Sequence, residues 1–393
     1  MTKTVQHLLS DIQALAPSIA ARAAEIEAGR RMPLDIVEKL KSIGVFRMLV
    51  SKSSGGLEFD LSSAMEVIAA LGRIDGSVGW TAMIATGASI FVPLASKETY
   101  AQIYAKGPDV AFAGSARPGG TAEAIPGGWR VNGRWSFASG CLHADWMAAF
   151  CIVVKDGKPI PGPEPGMPVI RGCILPASDW QIEDTWHVAG LKGTGSNDIL
   201  LKDIIVPDAN LIDFANATPC VPAPLSHGAQ QVLPLLHSAN AVGMAEGALE
   251  ALTAMAKGGR QQFSAAVPLR DSELFQAGLG RAAADLHAAQ ALLQSEGGRF
   301  WRYALAGTLG DEALLTQARQ STAWITGTSL SVAEACYALA GAAAIYEASP
   351  LQRRLRDLQT AAQHYTGQQR HYAPAGKLLL SEDVCVAPKT LVA

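Results

Sequence analysis

Residues 133 to 146 of this chain read GRWSFASGCLHADW. Phe137 and Ser139 stand at i and i+2, the spacing that puts two side chains on one face of a strand. That pairing suits a flat conjugated ligand such as an isoalloxazine. An aromatic ring covers its face while a hydroxyl reaches the polar edge at N5 and C4=O. Trp135 would extend the same face. By periodicity alone, the plainer reading is that Trp135 and Phe137 are core and that Ser139 precedes a glycine turn. His143 would join the face only if the pleat ran past Gly140; a glycine there interrupts it, which leaves His143 at the surface or behind the site.

Other chemistry-bearing patterns are sparse. GLKGTGSND (190–198) is glycine-rich, but it opens no strand-to-helix unit and holds no Gly-Lys-Ser/Thr, which argues against a P-loop and a dinucleotide fingerprint. Neither G-x-S-x-G nor H-E-x-x-H occurs. His364 and His371 are placed to share a helix face, yet no carboxylate stands in register, so no metal site is expected. The six cysteines, Cys141, Cys151, Cys173, Cys220, Cys336 and Cys385, lie far apart with no C-x-x-C pair. Free buried thiols in a reducing compartment are the expectation.

These residues need elements to hold them. In residues 3 to 105 the apolar spacing is helical, with Leu8, Ile12, Leu15, Ile19 and Ile26 recurring at three, four or seven. Pro33 opens a short helix through Leu34, Ile36, Val37 and Leu40. Ser63 and Glu66 form a capping box ahead of AMEVIAALG, and an uncharged helix begins near Gly76. From Asp109 the period shortens. WRVNGRW alternates at Trp129 and Val131, and Asn132-Gly133 predicts a type I′ hairpin turn. MAAFCIVVKDGK reads as a buried strand ending at an Asp-Gly turn, PIPGPEPGMP cannot hold a ladder, and DILLKDIIVPD alternates again. After the Pro-rich 218–225, four long helices are predicted at roughly 232–258, 270–303, 311–345 and 350–371.

A chain of 393 residues is expected to fold as more than one packed unit. Its 32 basic and 35 acidic residues give a net charge of −3 without long runs, which argues against a nucleic-acid surface. The N-terminus lacks the continuous apolar run of a signal peptide, and a cytoplasmic protein is expected. Residues 76–96 carry no charge but include Gly76, Gly79, Gly87 and Pro93, so a buried helix is the better reading than a membrane span.

The order helices, β unit, bundle, with GGWRVNGRWSFASGCLHADW (127–146), resembles the acyl-CoA dehydrogenase superfamily, whose β domain carries a flavin-facing aromatic-x-Thr/Ser motif. WHVAGLKGTGSNDILLKDIIVP (186–207) is similar to the strand that closes that domain, and RQQF (260–263) resembles its bundle-entry motif. The likeness covers nearly the whole chain. It implies an α+β, mostly α fold: an N-terminal helical domain (1–108), a central antiparallel β-barrel domain (109–217) and a C-terminal four-helix bundle domain (218–393).

Two chemistries compete in that superfamily. Dehydrogenases need a carboxylate base for the proton α to a thioester, in many members a glutamate about eight residues after an R-D pair. Here Arg356-Asp357 opens RDLQTAAQHYTG, His364 stands near the base position, and no Glu or Asp occurs from Leu358 to Ser381. An FAD-dependent acyl-CoA dehydrogenase is the alternative, with Glu246 or Glu250 as base from another helix. R-W-x-F-x-S-G with R-D-x-x-T-x-x-x-H looks like the oxygenase components of two-component (group D) flavin-dependent monooxygenases. These take reduced FAD or FMN from a separate NAD(P)H-dependent flavin reductase, form a C4a-hydroperoxyflavin with O2 and hydroxylate aromatic substrates, without a metal.

The resemblance implies Ser139 at N5 and His364 as acid/base, roles that serine and histidine suit. It implies Phe137 and Trp186 lining the flavin, Thr194 and Ser196 binding flavin or its phosphate, and Arg260 and Phe263 meeting the flavin tail across a subunit boundary of a homotetramer. Several phenol hydroxylases of this branch carry a histidine after an S-x-x-W segment. Here only small and apolar residues follow Trp80, so an indole-type or other fused aromatic is favoured over a simple phenol.

Overall fold

The structure is a computed structural model that describes residues 3–381 apart from 164, 215, 227 and 228. Cys385 lies outside the described residues. The chain opens with α1 (Val5–Ala20), α2 (Ala23–Gly29), α3 (Leu34–Ile43), α4 (Leu61–Ile74), α5 (Gly76–Ser89) and α6 (Lys97–Ile103). The cap of α4 is Asp60 rather than Ser63: its carboxylate accepts the Ser63 N–H at 2.9 Å, one turn earlier than the predicted box. Asp75 caps α5 in the same way through the N–H groups of Ser77 and Val78. The uncharged stretch Gly76–Leu94 is 83% buried, packed between α4 and the later helices. Gly79 allows that packing, because a Cβ there would overlap Gly72 of α4 and the Asn240 side chain.

The strands are β1 (Phe112–Ile125), β2 (Gly128–Trp135), β3 (Trp146–Lys155), β4 (Lys158–Pro159), β5 (Ile170–Pro176), β6 (Gln181–Glu183), β7 (Asp198–Val206) and β8 (Leu211–Ile212). The sheet order is β6-β7-β2-β1-β3-β5-β8, with β4 on β3. Pairing is antiparallel except between β1 and β3, where the chain crosses over through 136–145 and re-enters beside Phe112 in the same direction. The predicted Asp156-Gly157 turn is present, with positive φ at both residues.

The turn predicted at Asn132-Gly133 is not. The β1–β2 hairpin turns at Pro126-Gly127, and β2 runs straight through both residues. Asn132 instead marks a register shift against β7, its side chain bonded twice to Asp203, which has φ +52°. Gly133 is there because the Trp135 ring lies where its Cβ would be.

The bundle is α7 (Ala229–Lys257), α8 (Glu273–Leu305), α9 (Glu312–Ala340) and α10 (Pro350–Ala361), followed by the short α11 (Tyr372–Leu379). Helix α10 stops well short of the predicted 371. Both histidines lie beyond its end, His364 capping one short 3-10 turn and His371 closing the next, and they share no helix face. One apolar core joins α1–α5 to the bundle, and a second fills the sheet.

Candidate active site

The segment after β2 departs from a strand at once. Trp135 is the last residue in the ladder and is fully buried, its Nε1–H on the Phe150 carbonyl at 2.7 Å. It belongs to the sheet core, edge-on to Trp180, and does not extend a ligand face. Phe137 has φ +66°, so the i, i+2 argument fails: its ring is 64% exposed while Ser139 is buried. The turn is fixed by backbone bonds to the β6–β7 connection, Ala138 N–H to Asn197 O at 3.1 Å and Gly140 N–H to Thr194 O at 2.9 Å. Two loops are thereby zipped into one wall. On its outer side Phe137 meets Trp186 edge-on, ring centres 6.2 Å apart.

On its inner side the wall carries a chain of buried hydroxyls. The Trp80 Nε1–H of α5 donates to Ser139 Oγ at 3.0 Å; Ser139 Oγ lies 2.7 Å from Ser196 Oγ, and Ser196 Oγ 2.7 Å from Thr194 Oγ1. The Thr194 hydroxyl ends the chain on the Leu191 carbonyl at 2.8 Å. Each hydroxyl has one proton, and the proton of Thr194 is spent on Leu191. Ser196 therefore donates to Thr194, and Ser139 donates to Ser196. The direction is fixed from both ends, and Ser139 keeps one free acceptor lone pair.

Trp80 also joins Ser139 to two histidines. Its ring is edge-on to His237 of α7 at 5.3 Å and to His364 at 5.6 Å, and the two imidazoles stack at 5.3 Å. His237 Nε2–H donates to the Ala361 carbonyl at 3.0 Å, which leaves Nδ1 as an acceptor toward the Thr326 hydroxyl. His364 Nδ1 is 2.8 Å from the Thr366 hydroxyl, a partner able to donate or accept. Burial holds both imidazoles far below the usual range, His364 at about 3 with help from His237, and His237 at about 4. Both are neutral at physiological pH.

Ser139, Thr194, Ser196 and His364 thus gather around Trp80, and Phe137 with Trp186 forms the outer lip. Trp186 is held by its Nε1–H on Leu191 O at 3.1 Å and by the Asn197 side chain on its backbone N–H. Arg260 and Phe263 are not part of this group. They lie past the far end of α7, at about 1.5 Å per residue some 30 Å along the axis from His237, and Phe263 is fully exposed. His143 is half-buried, its Nδ1 without a partner, and burial lowers it to about 4. Glu246 bonds to Gln290, and Glu250 faces solvent against Arg73. Both sit two to four turns down α7 from His237, so neither stands in for a base at Trp80.

Sequence reasoning missed His237 and the linking role of Trp80. A signal was present: HSAN (237–240) puts three polar residues inside an otherwise apolar stretch of α7, where each must be answered or used.

Comparison with known proteins gives the family. Residues 7–103 match the acyl-CoA dehydrogenase N-terminal domain and residues 235–369 the acyl-CoA dehydrogenase C-terminal domain. The chain is 33% identical over 353 residues to the indole-3-acetate monooxygenase of Pseudomonas putida, covering 88% of this chain and 86% of that one. It is 29% identical over 362 residues to HsaA, the oxygenase subunit of a flavin-dependent monooxygenase from Rhodococcus jostii, covering 90% and 92%. XiaF of a Streptomyces species, solved with FADH2 and glycerol, superposes with a TM-score of 0.89 at 25% identity over 98% of this chain and 97% of that one. By these matches the chain belongs to the acyl-CoA dehydrogenase superfamily and, within it, to the oxygenase components of two-component flavin-dependent monooxygenases.

Proposed function

We propose that this oxygenase takes reduced FAD or FMN from a separate NAD(P)H-dependent flavin reductase and hydroxylates a neutral fused aromatic ring of the indole type. The observation that carries the reading is the pairing of Ser139, with one free lone pair, and two neutral histidines around Trp80. The residues fit a flavin: an aromatic lip of exposed Phe137 against half-buried Trp186, and buried hydroxyls behind it. Reduced flavin supplies two electrons to O2, so that one oxygen atom enters a ring C–H bond as C–OH and the other leaves as water.

Ser139 would hold a bound reduced flavin at its N5–H edge through its free lone pair. Its own proton is committed to Ser196, which fits it to receive rather than give. His364 removes the proton from the oxygenated ring carbon; its Nε2 makes no hydrogen bond among the described residues, and Thr366 can switch to support either tautomer at Nδ1. Thr194 and Ser196 orient Ser139 from behind. Neither histidine is charged, so the pair supplies no cation for a phenolate, whereas an acceptor nitrogen suits an indole N–H. Arg260 and Phe263 would reach a flavin only from a second copy, which fits a homotetramer; the same proposal places the enzyme in the cytoplasm.

The test is reconstitution with a flavin reductase, NADH and indole under ¹⁸O2. One labelled oxygen in the product supports the reading. Flavin oxidation with peroxide and no labelled product, across indole, indole-3-acetate and other fused arenes, would contradict it.

A further inference from the structure

The Arg356-Asp357 pair has a task of its own. Its backbone lies against the 189–191 segment so closely that a Cβ on Gly190 would overlap the Arg356 carbonyl. On one side of that glycine, Arg356 Nη1 donates to the Ala189 carbonyl and also pairs with Glu27, while its Nε is held by Gln352 at 2.7 Å. On the other side, the Leu191 N–H donates to Asp357 Oδ1 at 2.6 Å. Asp357 is fully enclosed, and Leu191 has φ +51°. One residue on α10 therefore grips each end of a three-residue segment of the β6–β7 connection.

The gripped residue is the one on which the site converges. The Leu191 carbonyl is the terminal acceptor of the hydroxyl chain and also takes Trp186 Nε1–H. We propose that Arg356 and Asp357 are positioning residues: they clasp Leu191, and through it set the direction of the Thr194–Ser196–Ser139 chain and the pose of Trp186. The same helix leads into His364, so the clasp ties the side of the site that holds the acid/base to the side that holds the flavin edge. The inference rests on the proposed seat of the flavin against Ser139.

The experiment uses the full chain with D357N, D357A, R356M, S139A and D357A/S139A. Anaerobic titration reads reduced-flavin affinity, product per flavin oxidised reads coupling, and hydrogen exchange reads the Leu191 amide. D357A is expected to bind reduced flavin about tenfold more weakly, to lose coupling and to expose the Leu191 amide, because a buried donor is left unmet. D357N keeps an acceptor oxygen and is expected within about twofold of the parent. The double variant is expected to bind no more weakly than the worse single, since both act through one chain.

If D357A does not fold, R356M, partly exposed, carries the test with a smaller loss of the same kind. Parent-like affinity and coupling in the variant that folds, a D357N as impaired as D357A, or additive losses with S139A would each overturn the clasp. Should S139A leave flavin binding and coupling untouched while D357A still exposes the Leu191 amide and weakens flavin binding, the seat at Ser139 fails and the clasp stands.

Discussion

A serine with its proton already committed is a different reagent from a free one. Ser139 donates to Ser196 and accepts from Trp80, so only one lone pair is left for a ligand. S139A removes that acceptor and leaves the Trp80 N–H and the Ser196 oxygen without it; the expected result is hydroxylation reduced by about 10- to 100-fold, the range for a lost polar contact of 1.4 to 2.8 kcal/mol. Product yield by chromatography checks it. H364A is expected to keep oxidising flavin while releasing peroxide in place of product, and unchanged coupling would remove His364 from the chemistry. Because burial holds His364 at about 3, the yield should show no limb between pH 5.5 and 8 that vanishes in H364A. The polar residues of the wall were visible in the sequence as hydroxyls near aromatics. Trp80 and His237 were not, because their partners lie 59 and 124 residues away, and only packing brings them together.

At the scale of elements, two local signals were displaced by tertiary contacts. Asn132-Gly133 has the composition of a hairpin turn, yet the glycine exists to let the Trp135 ring cross the strand, and the asparagine to bridge a bulge at Asp203. G133A is expected to destabilise the protein by about 1–3 kcal/mol through overpacking against Trp135 and Gly120. A denaturation midpoint equal to the parent's would refute that reason for the glycine. His364 reads as a helix residue by spacing, but α10 ends at Ala361 and the backbone turns extended at His364. No break signal precedes it in the sequence, since Gly367 comes only after the turn. The Asp156-Gly157 turn, the uncharged α5 and the strand β7 were legible because local pattern and burial agree there.

Across the whole molecule, the order of helices, sheet and bundle is carried by periodicities long enough to survive local errors, and the parallel β1–β3 pair is the part no periodicity encodes. The union of the two halves leaves buried ionisable groups with opposite pH signatures. His237 is held below its ordinary value at about 4, so its stability contribution is complete above pH 6.5 and is lost as pH falls toward 4. Asp357 is pushed up to about 7, first by burial and then by Asp75, so its contribution is complete below pH 4 and is lost as pH rises through 7. Denaturant titrations should show the stability of the parent relative to H237N falling on acidification from pH 7 to 4, and that of the parent relative to D357N rising; slopes of the same sign would contradict the assignment. The most direct test of the central claim is anaerobic mixing of the protein with reduced FAD or FMN, followed by oxygenated buffer in a stopped-flow spectrometer. The account predicts a transient, distinct from reduced and oxidised flavin, that lives longer in the parent than in S139A. Immediate return to the oxidised spectrum, at the same rate in both, would contradict it.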